Sequence, residues 1–222
     1  MRLVCLSDLH GHLPDVPESD VVCIAGDVSP VEYDRDLDRV SRWMEDTFVP
    51  WVDKLPCRKA CLVWGNHDFV AELRTIDLPD KVAVLQDSSI DIDGITIYGS
   101  PWTPRLSRWA FYTAHPTVAF DNIPKCDVLL THCPPRIDRY GTVTDPDHSY
   151  YGMDFGSGAL NEPSKRSRLH LFGHVHTGDH RLRNIDGTYY RNVSILDEDY
   201  DEVYRPAVID ITQNTINEIY EY

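Results

Sequence analysis

The sequence predicts an α/β fold in which two sheets pack between helices, and three observations carry that expectation. Short apolar runs rich in strand formers recur at 3–6, 21–25, 60–64, 128–130 and 169–172, each too short for a helix. Between the second and third of them, residues 33–48 place Leu37, Val40, Trp43, Met44 and Phe48 at helical spacing. Further strand-like runs at 189–196, 207–211 and 215–219 supply more sheet late in the chain.

Each element has a local reason. The stripe over 33–48 reads as a helix covering the sheet and ending before Pro50, because a proline ring clashes with the preceding helical turn. Strands follow at 82–85 and 89–92, and Asp93-Gly94 turns the chain into 95–99 as an antiparallel hairpin. The stretch 140–158 has no clear period and reads as a loop over a site mouth. Its Tyr150 and Tyr151, with Trp102, could stack a nucleobase, although packing of the loop is the simpler expectation.

At 222 residues the chain can bury a sizeable core, and with no linker or internal repeat it is expected to form one domain over 1–222. No apolar stretch approaches a membrane span, so no membrane partner is expected. The formal charge of −15 opposes tracking along a phosphate backbone, which favours small substrates over long nucleic acids. Of the 6 cysteines, Cys5, Cys23 and Cys61 lie inside apolar runs, where a thiol acts as a small hydrophobe. Together with a first strand that begins near Arg2, with no leader before it, this fits a cytoplasmic location.

The chemistry lies where the apolar runs stop. They lead into Asp8-Leu9-His10, Gly26-Asp27, Gly65-Asn66-His67-Asp68, Thr131-His132 and Gly173-His174-Val175-His176. Loops leaving the carboxyl ends of strands in an α/β sheet meet over one crevice, and alternate residues of an extended segment share a face. Asp8, His10, Asp27, Asn66, His132, His174 and His176 are therefore expected to converge as metal ligands. Any one of these motifs alone is weak, but all of them in order, each after an apolar run, form a specific pattern.

Such a set can hold two divalent ions with solvent positions open, and imidazoles, carboxylates and an amide suit Mn, Fe or Zn. Asp27 is the expected bridge, since its two oxygens can serve ions roughly 3.5–4 Å apart. Two such ions bring about four positive charges against about two negative ones from Asp8 and Asp27, a surplus that a phosphoester would neutralise. Metal coordination lowers the pKa of water to about 7, which makes a bridging hydroxide the expected nucleophile. His67, next to Asn66 but pointing away from the ions, is the expected general acid for the departing oxygen, a role worth about 10²–10⁴ in rate. His12, His115, His148, His170 and His180 lack such support and read as packing, surface or supporting residues.

These blocks, D-x-H, G-D, G-N-H-[DE], a single His and G-H-x-H, resemble the calcineurin-like metallophosphoesterase superfamily between Ser7 and His176. Residues 98–104 and 131–135 look like the metallophosphoesterase-domain-containing group related to class III cyclic-nucleotide phosphodiesterases. The resemblance implies a four-layer α/β/β/α sandwich with two mixed sheets. It implies one ion held by Asp8, His10, Asp27 and His176, and another held by Asp27, Asn66, His132 and His174. It also places a catalytic histidine at His67 and a supporting residue at Asn192. Two departures stand out. Gly26-Asp27 is followed by Val28-Ser29-Pro30 rather than the extended block of the protein phosphatases, and Cys133 stands where the group usually has glycine.

The leading expectation is hydrolysis of small phosphodiesters, cyclic nucleotides among them. A nuclease of the same superfamily is the alternative, for which a basic groove would be needed. A metal-binding scaffold with little turnover is a third reading, against which His67 and the full ligand set argue.

Overall fold

The computed structural model describes residues 1–33, 35–104 and 106–219. The chain begins with β1 (Arg2–Leu6), β2 (Ser19–Ala25), α1 (Leu37–Trp43), α2 (Val49–Lys54), β3 (Cys57–Val63) and α3 (Phe69–Leu73). It continues through β4 (Val82–Val84), β5 (Ser88–Ile92), β6 (Ile95–Ser100), β7 (Thr103–Pro104), β8 (Tyr112–Thr113), α4 (Pro116–Asp121) and β9 (Cys126–Thr131). The last elements are α5 (Asn161–Ser164), β10 (Ser167–Phe172), β11 (Arg183–Ile185), β12 (Thr188–Asn192), β13 (Ala207–Ile211) and β14 (Ile216–Ile219).

Two six-stranded sheets result, ordered β14-β13-β1-β2-β3-β4 and β11-β12-β10-β9-β6-β5. Both are mixed: β1 to β4 run parallel, as do β6, β9, β10 and β12, while the remaining pairs are antiparallel.

Alternation along the strands builds the layers. Leu3, Cys5, Val21, Cys23, Cys61 and Val63 face the second sheet and pack with Ile97, Val128, Leu130, Leu169 and Leu171. The intervening Val4, Leu6, Val22, Ile24, Ala60 and Leu62 pack with Val40, Met44, Phe48 and Val52 of the helical layer. On the far face of the second sheet, Tyr98, Cys126 and Leu129 meet Phe120, Ile123 and Leu160. Helix, sheet, sheet and helix are thus stacked, as the resemblance implies. Among the described residues, no helix is long and apolar enough to cross a membrane.

Three elements differ from expectation. The helix of the 33–48 stripe begins only at Leu37, where the Asp36 side chain accepts from Arg39 N, and it does not stop before Pro50. A π turn at Met44–Phe48 shifts the hydrogen-bond ladder ahead of Pro50, which then falls in the first turn of α2, where a missing N–H does no harm. The strand expected over 189–196 ends at Asn192, because the chain then leaves the second sheet and Ser194 bridges to Ser7 beyond β1 in the first. The 140–158 stretch is not one uniform loop. Tyr140 is fully buried, its hydroxyl donating to Arg181 O and Tyr190 O, and the solvent-exposed part lies mainly between the bridged residues Thr142 and Asp154. The hairpin is as expected, with Asp93 and Gly94 both in left-handed backbone (φ 51° and 77°) between β5 and β6.

Candidate metal centre

Register brings the ligand candidates together. Leu6 pairs with Ile24 and Ile24 with Leu62, so Asp8, Asp27 and Asn66 leave adjacent strands at one edge of the first sheet. In the second sheet Leu130 pairs with Leu171, which sets His132 beside the 173–176 turn. The backbone is bent to suit: Asp8, His10, Asp27 and His174 take left-handed φ values of 56°, 43°, 53° and 71°. Such residues each cost about 1–3 kcal/mol and collect at functional sites. Glycine makes two of the close approaches feasible. A Cβ on Gly65 would collide with the Asp27 carboxylate, and one on Gly173 with that of Asp8.

All seven sequence-derived candidates lie in this crevice. Asp8, His10 and His176 form one group and Asp27, His132 and His174 another, the potential ligand atoms of each group lying within 4.8 Å of one another. Asn66 Oδ1 is 3.0 Å from His132 Nε2, which joins it to the second group. Asp27 links the two, with its Oδ2 at 3.2 Å from His132 Nε2 and 3.8 Å from His10 Nε2. His67 also comes within 4.8 Å of His10 and Asp27, is only partly buried, and donates its amide to Asp27 Oδ1 at 2.8 Å.

Backbone carbonyls fix two of the imidazoles. His132 Nδ1 donates to Ala25 O at 2.8 Å and His176 Nδ1 to Asp197 O at 2.7 Å, leaving both Nε2 atoms for the crevice. Burial pushes His10 and His174 down to about 3, so both rings are neutral. Burial acts the same way on His132 and His176, but the carboxylates of Asp27 and Asp8 outweigh it and hold both at about 9. Reciprocally, Asp8 and Asp27 stay well below the usual carboxylate range despite their burial, because His176 and His132 face them. The buried carboxylates of Asp8 and Asp27 thus call for positive charge beside them, which two cations would supply. A set of imidazole, carboxylate and amide donors without thiolate fits borderline divalent ions. His10 Nδ1, buried without a hydrogen-bond partner, adds to the case.

Several supporting residues were missed or only named in the sequence. Asp68 accepts from the amides of Asp27, Val28, Ser29 and Gly65 and from Ser29 Oγ, at 2.8–3.0 Å, so it moulds the turns that carry Asp27 and Asn66. Burial and the nearby Asp27 push its carboxyl up to about 6. Asn192 donates to Val175 O at 2.7 Å and so braces the His174–His176 turn, in line with its expected supporting place. His170 hydrogen-bonds Thr131 Oγ1 at 2.8 Å behind His132. Trp109 packs on His67 with ring centroids 4.4 Å apart, and Tyr200 meets His10 edge-on at 4.9 Å. Trp102 turns elsewhere, its indole N–H donating to Asp87 Oδ2. Tyr150 and Tyr151 are half-exposed on the 140–158 loop. A groove of about 1100 Å³ lined by Pro14, Val16, Tyr204, Pro206 and Ile219 holds none of the ligand candidates, so volume does not locate the chemistry.

Residues 1–178 match the family model described as calcineurin-like phosphoesterase. The chain belongs to that family. Among curated relatives of this phosphoesterase, human metallophosphoesterase domain-containing protein 1 is 28% identical over 95% of this chain and 71% of its own length. A probable rhamnogalacturonate lyase C of Emericella nidulans is 29% identical over 80% of this chain, which spans only 17% of that protein. The putative 5′-nucleotidase of Staphylococcus aureus shares the fold, with a TM-score of 0.57 at 13% identity over 98% of this chain and 52% of that one. The family match and the candidate His and Asp ligands together are consistent with a metal-dependent phosphoesterase.

Proposed function

We propose that the protein is a two-metal phosphodiesterase acting on small diesters, cyclic nucleotides among them, and that residues 1–222 form one domain. One observation carries the reading: the Asp27 carboxylate stands between an Asp8, His10, His176 group and a His132, His174, Asn66 group. Asp8, His10, Asp27 and His176 would hold one ion, and Asp27, Asn66, His132 and His174 the other, with Mn, Fe and Zn all compatible. When bound, such ions supply charge neutralisation at phosphorus and a water acidic enough to attack at neutral pH.

The chain's own residues do the rest. His67, whose amide donates to Asp27, donates a proton from its ring to the departing ester oxygen. Ring contacts with Trp109 at 4.4 Å and with His10 at 4.8 Å limit where that proton can be delivered. Asp68 keeps the turns bearing Asp27 and Asn66 in shape. The net charge of −15 favours a small substrate over a polyanion, and the buried thiols Cys5, Cys23 and Cys61 support a cytoplasmic setting.

Hydrolysis of bis(4-nitrophenyl) phosphate and of 4-nitrophenyl phosphate, with and without Mn²⁺, tests the reading. Metal-dependent preference for the diester is the expected result. Preference for the monoester contradicts it.

A further inference from the structure

Beside His174 lies a cavity of about 350 Å³, walled by Pro104, Leu106, Met153, Asp154 and Phe155. Pockets for small organic ligands span roughly 300–1,000 Å³ and are mainly apolar with few polar groups. The cavity borders the candidate metal centre, since His174 belongs both to its lining and to the Asp27, His132, His174 group. Its walls come from two stretches of chain: Pro104 ends β7 and Leu106 follows it, while Met153 to Phe155 belong to the 140–158 loop.

The loop side is built rather than slack. Met153 donates its amide to Tyr150 O at 2.9 Å and Val143 donates to Met153 O at 3.0 Å, while Phe155 N donates to Gly141 O at 2.8 Å. The Phe155 ring is braced edge-on by Tyr150 at 5.5 Å. Met153 is nevertheless 52% exposed, as are Tyr150 and Tyr151 at 51% and 56%. Met153 and Phe155 thus present apolar side chains to the cavity from a hydrogen-bonded frame. The polar group in the wall is already committed, because Asp154 Oδ1 accepts from Gly156 N at 2.8 Å and Oδ2 lies 3.5 Å from Arg136 Nε. A carboxylate there repels a second anionic group, whereas a thioether and a phenyl ring favour a flat apolar one.

The cavity also lies on a particular side. His67 groups with His10 and Asp27, whereas the cavity opens beside His174 in the other group. A diester whose departing oxygen is aimed at His67 has its other substituent free to lie toward His174. Resting on the diesterase reading above, we propose that the Leu106, Met153 and Phe155 cavity binds the ester substituent that stays on phosphorus, and that it selects a planar aromatic group. The cavity is then what separates diesters from monoesters, since a monoester has only an oxygen to offer it.

The test compares bis(4-nitrophenyl) phosphate with methyl 4-nitrophenyl phosphate on the Mn²⁺-loaded protein, because both lose the same group and differ only in what is retained. Phe155→Ala and Met153→Ala should each lower the ratio of kcat/KM for the two esters by roughly tenfold, mainly through KM. Met153 is exposed enough that its truncation leaves the fold intact, which thermal melting verifies. Calorimetry supplies a reading without turnover: phenylphosphonate should bind more tightly than methylphosphonate, and Phe155→Ala should remove the difference. An unchanged ratio in both variants, or equal binding of the two phosphonates to the unaltered protein, overturns the proposal. Should only 4-nitrophenyl phosphate be cleaved, the diesterase reading fails by itself, and the phosphonate comparison still decides the cavity.

Discussion

The indole of Trp109 lies 4.4 Å from the imidazole of His67, and the amide of the next residue, Ala110, donates to Asn66 O at 3.0 Å. Arg35 stacks over the Phe69 ring at 4.3 Å and reaches Trp109 at 5.3 Å, so the segment between β7 and β8 is clamped onto the turn that carries His67. Loss of the indole should let the imidazole swing. Trp109→Ala is expected to keep its metal and lose roughly tenfold in kcat on alkyl leaving groups, with a smaller loss on aryl ones. Metal analysis and steady-state kinetics on paired alkyl and aryl diesters check this.

Asp27 and His67 should separate cleanly. Asp27→Ala removes the carboxylate shared by both groups and is expected to lose bound metal and activity together. His67→Ala should retain metal and lose about 10²–10⁴ in rate on alkoxide leaving groups. Metal content of the two purified variants, set beside their rates, decides. A His67→Ala protein as metal-poor as Asp27→Ala would make His67 a ligand instead, a role that its distance to His10 and Asp27 permits.

Asp68 carries structural weight. Replacing it by Ala leaves the amides of Asp27, Val28, Ser29 and Gly65 without their acceptor in a buried turn. With about 1–3 kcal/mol for each buried group that stays unsatisfied, a loss on the order of 3 kcal/mol of stability is expected, and with it weaker metal retention. Urea unfolding of the metal-free variant measures it.

The metal-free protein should show its own pH dependence. His132 and His176, held up at about 9 by Asp27 and Asp8 against the effect of burial, bind protons more tightly folded than unfolded. Their stabilisation is complete below about pH 6.5 and is lost as pH rises through about 9. Metal must displace those protons, so Mn²⁺ affinity should climb over the same interval. Unfolding midpoints and Mn²⁺ titrations across that range, in buffers of different ionisation heat, test both halves.

The convergence of the candidate ligands was legible because strands and candidates are written in adjacent residues. An apolar run followed at once by Asp8, Asp27, Asn66, His132 or His174 states both the strand and its functional end. What surrounds the ligands was not legible. The contact of Trp109 with His67 joins residues with no shared periodicity, and the burial of Tyr140 inside an aperiodic stretch depends on Arg181 and Tyr190, far along the chain. Asp and His enter left-handed backbone more readily than most residues, but the sequence does not say that Asp8, His10 and Asp27 are the ones that do so here. The helix runs past Pro50 because a π turn absorbs the missing donor, a geometry that a helical stripe does not encode. Trp102 looked available for stacking only until its partner Asp87 was placed beside it.

Anomalous diffraction from crystals grown in Mn²⁺ would locate the ions. Two peaks roughly 3.5–4 Å apart on either side of the Asp27 carboxylate are expected, one against Asp8, His10 and His176 and the other against Asn66, His132 and His174. A lone peak, or manganese bound away from Asp27, would contradict the two-metal reading.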